Sequence, residues 1–95
     1  MKLPLYSSTS RSDAPNLIGL QDEGIHMIPT VLVCPLRVGL KLTPARFEVV
    51  HGDRTLIACP ELTRPIRRTA LRPMGRLNEE LSRELMARFL SLFAQ

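Results

Sequence analysis

Ninety-five residues with three Phe, one Tyr and no Trp make a single domain, residues 1–95, and supply too few aromatic faces for a base-stacking nucleic-acid platform. Two cysteines, each followed by proline, are too few for a disulfide framework and fit a reducing compartment. No apolar run approaches the roughly 20 residues of a membrane span, and MKLPLYSSTSRSD lacks the apolar centre of a secretory signal, so a cytoplasmic protein away from the membrane is expected. The net charge of +4 matters through its placement, because Arg64, Arg67, Arg68, Arg72 and Arg76 fall between Glu61 and Glu79 with no acid among them, and one strongly basic face is expected.

In chain order, prolines at 4, 15, 29, 35, 44, 60, 65 and 73 leave no room for a long helix in the first three quarters of the chain. Short β-branched runs predict strands at Leu3–Tyr6, Leu17–Gln21, Ile25–Cys34, Val38–Leu42, Phe47–His51, Thr55–Cys59 and Ile66–Leu71. HGDR, His51 to Arg54, carries the Gly-Asp pair of a tight hairpin turn. After Gly75 the period changes to that of a helix over about 78–93. Asn78 is its N-cap, Glu79 and Glu80 sit at its positive end, and Glu79–Arg83 and Glu84–Arg88 are neighbours one turn apart. Leu81, Leu85, Phe89, Leu92 and Phe93 form its apolar stripe. The fold expected is mainly β with some α: an SH3-like barrel or curled antiparallel sheet closed by a C-terminal helix, with strands over about 3–71.

HMIPTVLVCP and HGDRTLIACP share a His-to-Cys spacing that invites a zinc reading. Along an extended strand, however, His and Cys eight residues apart stand roughly 26 Å from each other, far beyond metal bonds of about 2 Å. Pairing of the two segments could bring His26 beside Cys59, but a closed site needs about four ligands, so no metal and no cofactor is expected. Neither Cys precedes a helix, neither His has an evident orienting carboxylate, and apolar flanks raise a thiol's pKa, the wrong direction for a nucleophile. With no Gly-rich phosphate loop and no carboxylate pair, binding outranks catalysis, and neither an enzyme nor a small-molecule substrate is expected.

VLVCPL, TPARFEVVHGDRTLIACPEL, PIRRTALRPMGRL and the closing amphipathic helix resemble the CcdB family, the toxin half of plasmid and chromosomal addiction modules. The features that match are Tyr6 in an early strand, Gln21 in the next, Val33, Pro35 and Leu36 ending an apolar strand, then Val49, Val50, His51 and Asp53 at a strand and turn. The resemblance implies an SH3-like barrel with a terminal helix, dimerised through its sheet. It implies a protein that poisons DNA gyrase, a topoisomerase, through the A subunit, and that is neutralised by an antitoxin with a disordered acidic segment. It places target contacts at Leu90, Phe93, Ala94 and Gln95, and the antitoxin is expected at Arg64, Arg67, Arg68 and Arg72. Phe93 matches the aromatic of the family's aromatic-Trp-Gly-Ile ending, while Ala94 and Gln95 stand at the Trp and Gly positions and the Ile has no counterpart, which implies weaker binding or another target. The alternatives are a MazF-like endoribonuclease, in which Ile28 would stand where that family places an Arg, and a relative that binds antitoxin but is inactive on gyrase.

Overall fold

The computed structural model describes residues 1–8, 14–21 and 29–93. Its elements are strands β1 (Pro4–Ser7), β2 (Leu17–Gly19), β3 (Thr30–Arg37), β4 (Phe47–His51), β5 (Arg54–Ala58), β6 (Arg64–Arg67) and β7 (Arg72–Arg76), followed by helix α1 (Glu79–Ser91). All pairings are antiparallel, in the order β4-β5-β3-β2-β1-β7 with β6 also on β3. Strand β3 is shared: one edge takes β2, while the other takes β6 along Thr30–Val33 and β5 at Leu36 and Arg37. A strand that changes partner along its length bends the sheet on itself, and the result is the curled antiparallel sheet with one C-terminal helix that the sequence predicts.

Several expected boundaries move. Val38–Leu42 forms no strand, because Gly39 has a φ of 73° and the apolar residues around it, Val38, Leu40 and Leu42, are exposed with no neighbouring strand. The strand expected at Ile66–Leu71 starts earlier, at Arg64, and gives way to a 3-10 turn over Arg68–Ala70. A further strand, β7, follows it along β1 despite Pro73 and Gly75, as an edge strand tolerates. The N-terminal part of the strand expected at Ile25–Cys34, including His26 and Ile28, lies outside the described residues up to Ile28. The β4–β5 hairpin turns at Gly52 and Asp53 as expected, with a positive φ of 64° at Gly52 and none at Asp53, the sign pattern of a II′ turn.

Register divides the core into two. Leu5, Ile18 and Cys34 lie opposite one another and so share a face with Leu36, Phe47, Val49, Leu56 and Ala58; this face holds the main cluster, covered by Leu77 and Leu85. Tyr6, Leu17, Val31 and Val33 occupy the other face in a second cluster, with Ile66 and Leu71 against it. The Tyr6 ring crosses Gly19 so closely that a Cβ there would stand 2.8 Å from Cε2, which is why this strand position is glycine.

The helix is anchored by groups that its stripe does not reveal. Asn78 caps it as expected, its side chain accepting the Leu81 N–H at 2.8 Å. The buried Ser82 hydroxyl accepts the Leu3 N–H at 3.0 Å, and the Leu77 N–H donates to the Leu3 carbonyl at 2.8 Å, so the helix start is tied to β1. Arg88 pairs with Glu84 at 2.7 Å, donates to the carbonyls of Pro44 and Arg46, and lies over the Phe47 ring. Glu79 bonds to the Met1 ammonium at 3.1 Å rather than to Arg83, whose charge nevertheless helps hold the Glu79 carboxyl below its usual range after the hydrogen bond from Met1.

Candidate functional site

The helix stripe splits by exposure along its length. Leu85 is completely buried, and Leu81, Met86 and Phe89 pack partly against the main cluster. Beyond them Leu90 is 58% exposed and Phe93 73% exposed. The Phe93 ring stacks edge-on against Phe89 at 5.3 Å, so it is held in place while remaining open. Ala94 and Gln95 lie outside the described residues.

Beside this end runs a groove of about 480 Å³ whose apolar walls are Leu32, Pro60, Phe89, Leu92 and Phe93, with Glu61 and Thr63 at its polar lip. Each wall residue has a local reason to be there. Leu32 alternates with the buried Val31 and Val33, and so faces the side that carries the helix. Pro60 opens the 3-10 turn Pro60–Leu62, whose Thr63 hydroxyl donates back to the Pro60 carbonyl at 2.7 Å. The Glu61 carboxylate accepts from Arg46 at 3.0 Å, which leaves the groove mainly apolar. The sequence reading missed Leu32. Its signal was present: TVLVCPLR is apolar at nearly every position, the mark of a strand with both faces covered, and Leu32 is the position at which one face is left open.

The arginines do not form one continuous face. Arg64 lies opposite Val33 and Arg67 opposite Thr30, positions of opposite parity, so the two point to opposite sides of β6. Arg68 stands in the 3-10 turn, Arg72 opposite Ser7 and Arg76 opposite Pro4 on β7. Arg64 and Arg67 are exposed and form no ion pair with the described residues, whereas Arg68, Arg72 and Arg76 each engage another group of the chain. Basic charge is therefore distributed around the β6–β7 corner rather than concentrated on one plane.

Cys34 and Cys59 are free and fully buried. Burial pushes the Cys34 thiol up to about 12 and raises that of Cys59, so both stay protonated near neutrality and pack as small apolar side chains. Among the described residues no group of His, Cys, Asp and Glu is arranged to hold a metal ion, and no helix is long and apolar enough to cross a membrane. Compared with known proteins, the chain matches no family model, no curated protein and no solved structure.

Proposed function

We propose that this chain is the toxin of a toxin–antitoxin module, a CcdB-like cytoplasmic homodimer that acts by binding the A subunit of DNA gyrase and is neutralised by an antitoxin with an acidic, initially disordered segment. The observation that carries this reading is the open helix end: Leu90 and Phe93 are left exposed beside an apolar groove on a curled sheet and helix whose core is already filled by Leu85, with Phe89 packed partly against it. A soluble chain bears the solvation cost of such a patch where it meets another macromolecule. Phe93 stands at the aromatic position of the CcdB ending, and the exposed Arg64 and Arg67, with Arg68 and Arg72 beside them, offer the positive field that an acidic segment would follow in association.

The test is induction of the protein in growing cells, scored for the first lesion to appear. DNA breaks preceding any RNA cuts, and lost on Phe93→Ala in folded protein, are the expected result. RNA cuts appearing first would replace this reading with that of a MazF-like ribonuclease. Unimpaired growth combined with antitoxin binding would define an inactive relative. For the antitoxin, Arg67→Glu with Arg68→Glu should slow association; an unchanged rate would make these arginines solvated surface only.

A further inference from the structure

On the side of the sheet away from the helix, Asn16, Leu17, Pro35, Leu36, Arg37 and Arg64 line a separate pocket of about 90 Å³. Register explains why these residues meet. Leu17 lies opposite Pro35 and Arg64 opposite Val33, and Val33, Pro35 and Arg37 alternate along β3, so Arg37 and Arg64 project from the same face on either side of Pro35. The site sits where β3 exchanges β6 for β5, and Cys34 and Pro35 lie between the two pairings.

Among the described residues the pocket has two guanidinium residues and no acid in its wall. Glu61, the acid nearest Arg64 in the chain, is bonded to Arg46. Glu48 lies in the row of Arg37, but beyond Ile57 and two strands away, roughly 10 Å at the spacing of paired strands. The floor is fixed before any ligand arrives: Asn16 accepts the Leu36 N–H on its carbonyl at 2.8 Å, and its side chain both accepts from the Ser8 N–H and donates to the Ser8 hydroxyl. Space of this size holds several waters or one small oxyanion group with part of its stem.

We infer that the Asn16–Arg37–Arg64 pocket is an oxyanion subsite that receives a single carboxylate of an acidic peptide segment. Two forks of N–H donors around one small polar recess match a planar carboxylate better than a lone cation would. A phosphate of single-stranded RNA offers similar oxygens, but among the described residues no aromatic side chain lines the pocket to stack its bases, and this favours the peptide. The inference rests on the reading of this chain as the partner of an acidic segment and adds to it a defined anchor point and a residue, Arg37, outside the arginine-rich stretch.

The experiment titrates nitrogen-labelled full-length protein with a short Glu/Ser peptide, its Gln/Ser counterpart and a single-stranded RNA of equal charge, and follows backbone amide shifts. The Glu/Ser peptide should move Asn16, Leu17, Leu36 and Arg37, while the Gln/Ser peptide should not. Arg37→Gln and Arg64→Gln should each weaken the peptide about tenfold or more, Arg37→Lys should recover only part, and Arg54→Gln, an exposed arginine elsewhere, should change little. All three positions are exposed, and a thermal melt of each variant checks that it remains folded. Equal losses for Arg37→Gln and Arg54→Gln, full recovery with Arg37→Lys, or tighter RNA binding with shifts at the same amides would overturn the subsite. Peptide binding that leaves these amides unmoved yet disappears on Arg67→Glu with Arg68→Glu would remove the subsite and keep the acidic-partner reading. No binding by wild-type protein would remove both.

Discussion

Leu85 and Phe93 belong to the same apolar stripe, two turns apart, yet one has no contact with water and the other is mostly open. Leu85→Ala would leave a cavity under the helix and should cost about 2 to 5 kcal/mol, whereas Phe93→Ala should change stability by no more than about 0.5 kcal/mol; urea unfolding of the two variants gives the comparison. Cys34 supplies a second prediction at this scale. Burial takes its thiol from an ordinary 9.0 to about 12, so between these values the unfolded chain has released a proton that the folded chain keeps. The folded state then holds more protons, and the contribution to stability is complete below about pH 9 and declines as the pH rises toward 12. Unfolding midpoints measured below and above the ordinary thiol value should show this decline, and Cys34→Ala should reduce it, leaving the share due to Cys59, whose shift has the same direction and the same leading cause.

Helix α1 shows how one element is held at both ends by different chemistry. At its start Asn78 accepts the Leu81 N–H, with Glu80 and Glu79 in the first turn facing the positive end of the dipole. Near its end Arg88 fastens the helix to the chain before β4 through two carbonyls and the face of Phe47. Replacing Asn78 with Ala should destabilise the protein by about 0.5 to 2 kcal/mol, and Asn78→Asp should restore most of it, because Asp presents the same accepting oxygen. Thermal unfolding followed by the helical circular dichroism signal reads both. An unaltered melting temperature in the Ala variant would mean that the Ser82 tie to Leu3 and the burial of Leu77 and Leu85 hold the helix start unaided.

For the whole molecule, the consequence of a short chain is surface. A domain of 95 residues buries a smaller fraction of its apolar area than a larger one, and here Val38, Leu40, Leu42 and Val50 remain exposed in addition to the helix end. Association through a two-fold axis is the common way for a small chain to cover such residues. Sedimentation equilibrium should therefore find a species of twice the 10.7 kDa chain mass at about tens of micromolar, and a monomer persisting at that concentration would remove the homodimer from the proposed function.

The features legible in the sequence are those fixed by groups close together along the chain. The Asn78 cap with its two acids, the Gly52 turn between β4 and β5, and the apolar period from Leu81 to Phe89 all depend on neighbours within a few residues, and each forms as read. What depends on pairing between distant segments was not legible. Val38, Leu40 and Leu42 alternate like a strand but have no partner, while Pro73 and Gly75 argue against a strand that β1 nevertheless recruits. The five arginines read as one basic face until the register of β6 against β3 sends Arg64 and Arg67 to opposite sides, and the same register brings Arg64 to Arg37, distant in sequence and unremarked there. Whether a strand residue faces core, groove or pocket is set by the parity of its pairing, and a shift of one position reverses it, so composition and period predict a curled sheet with a terminal helix while only the tertiary register decides which side chains its surfaces present.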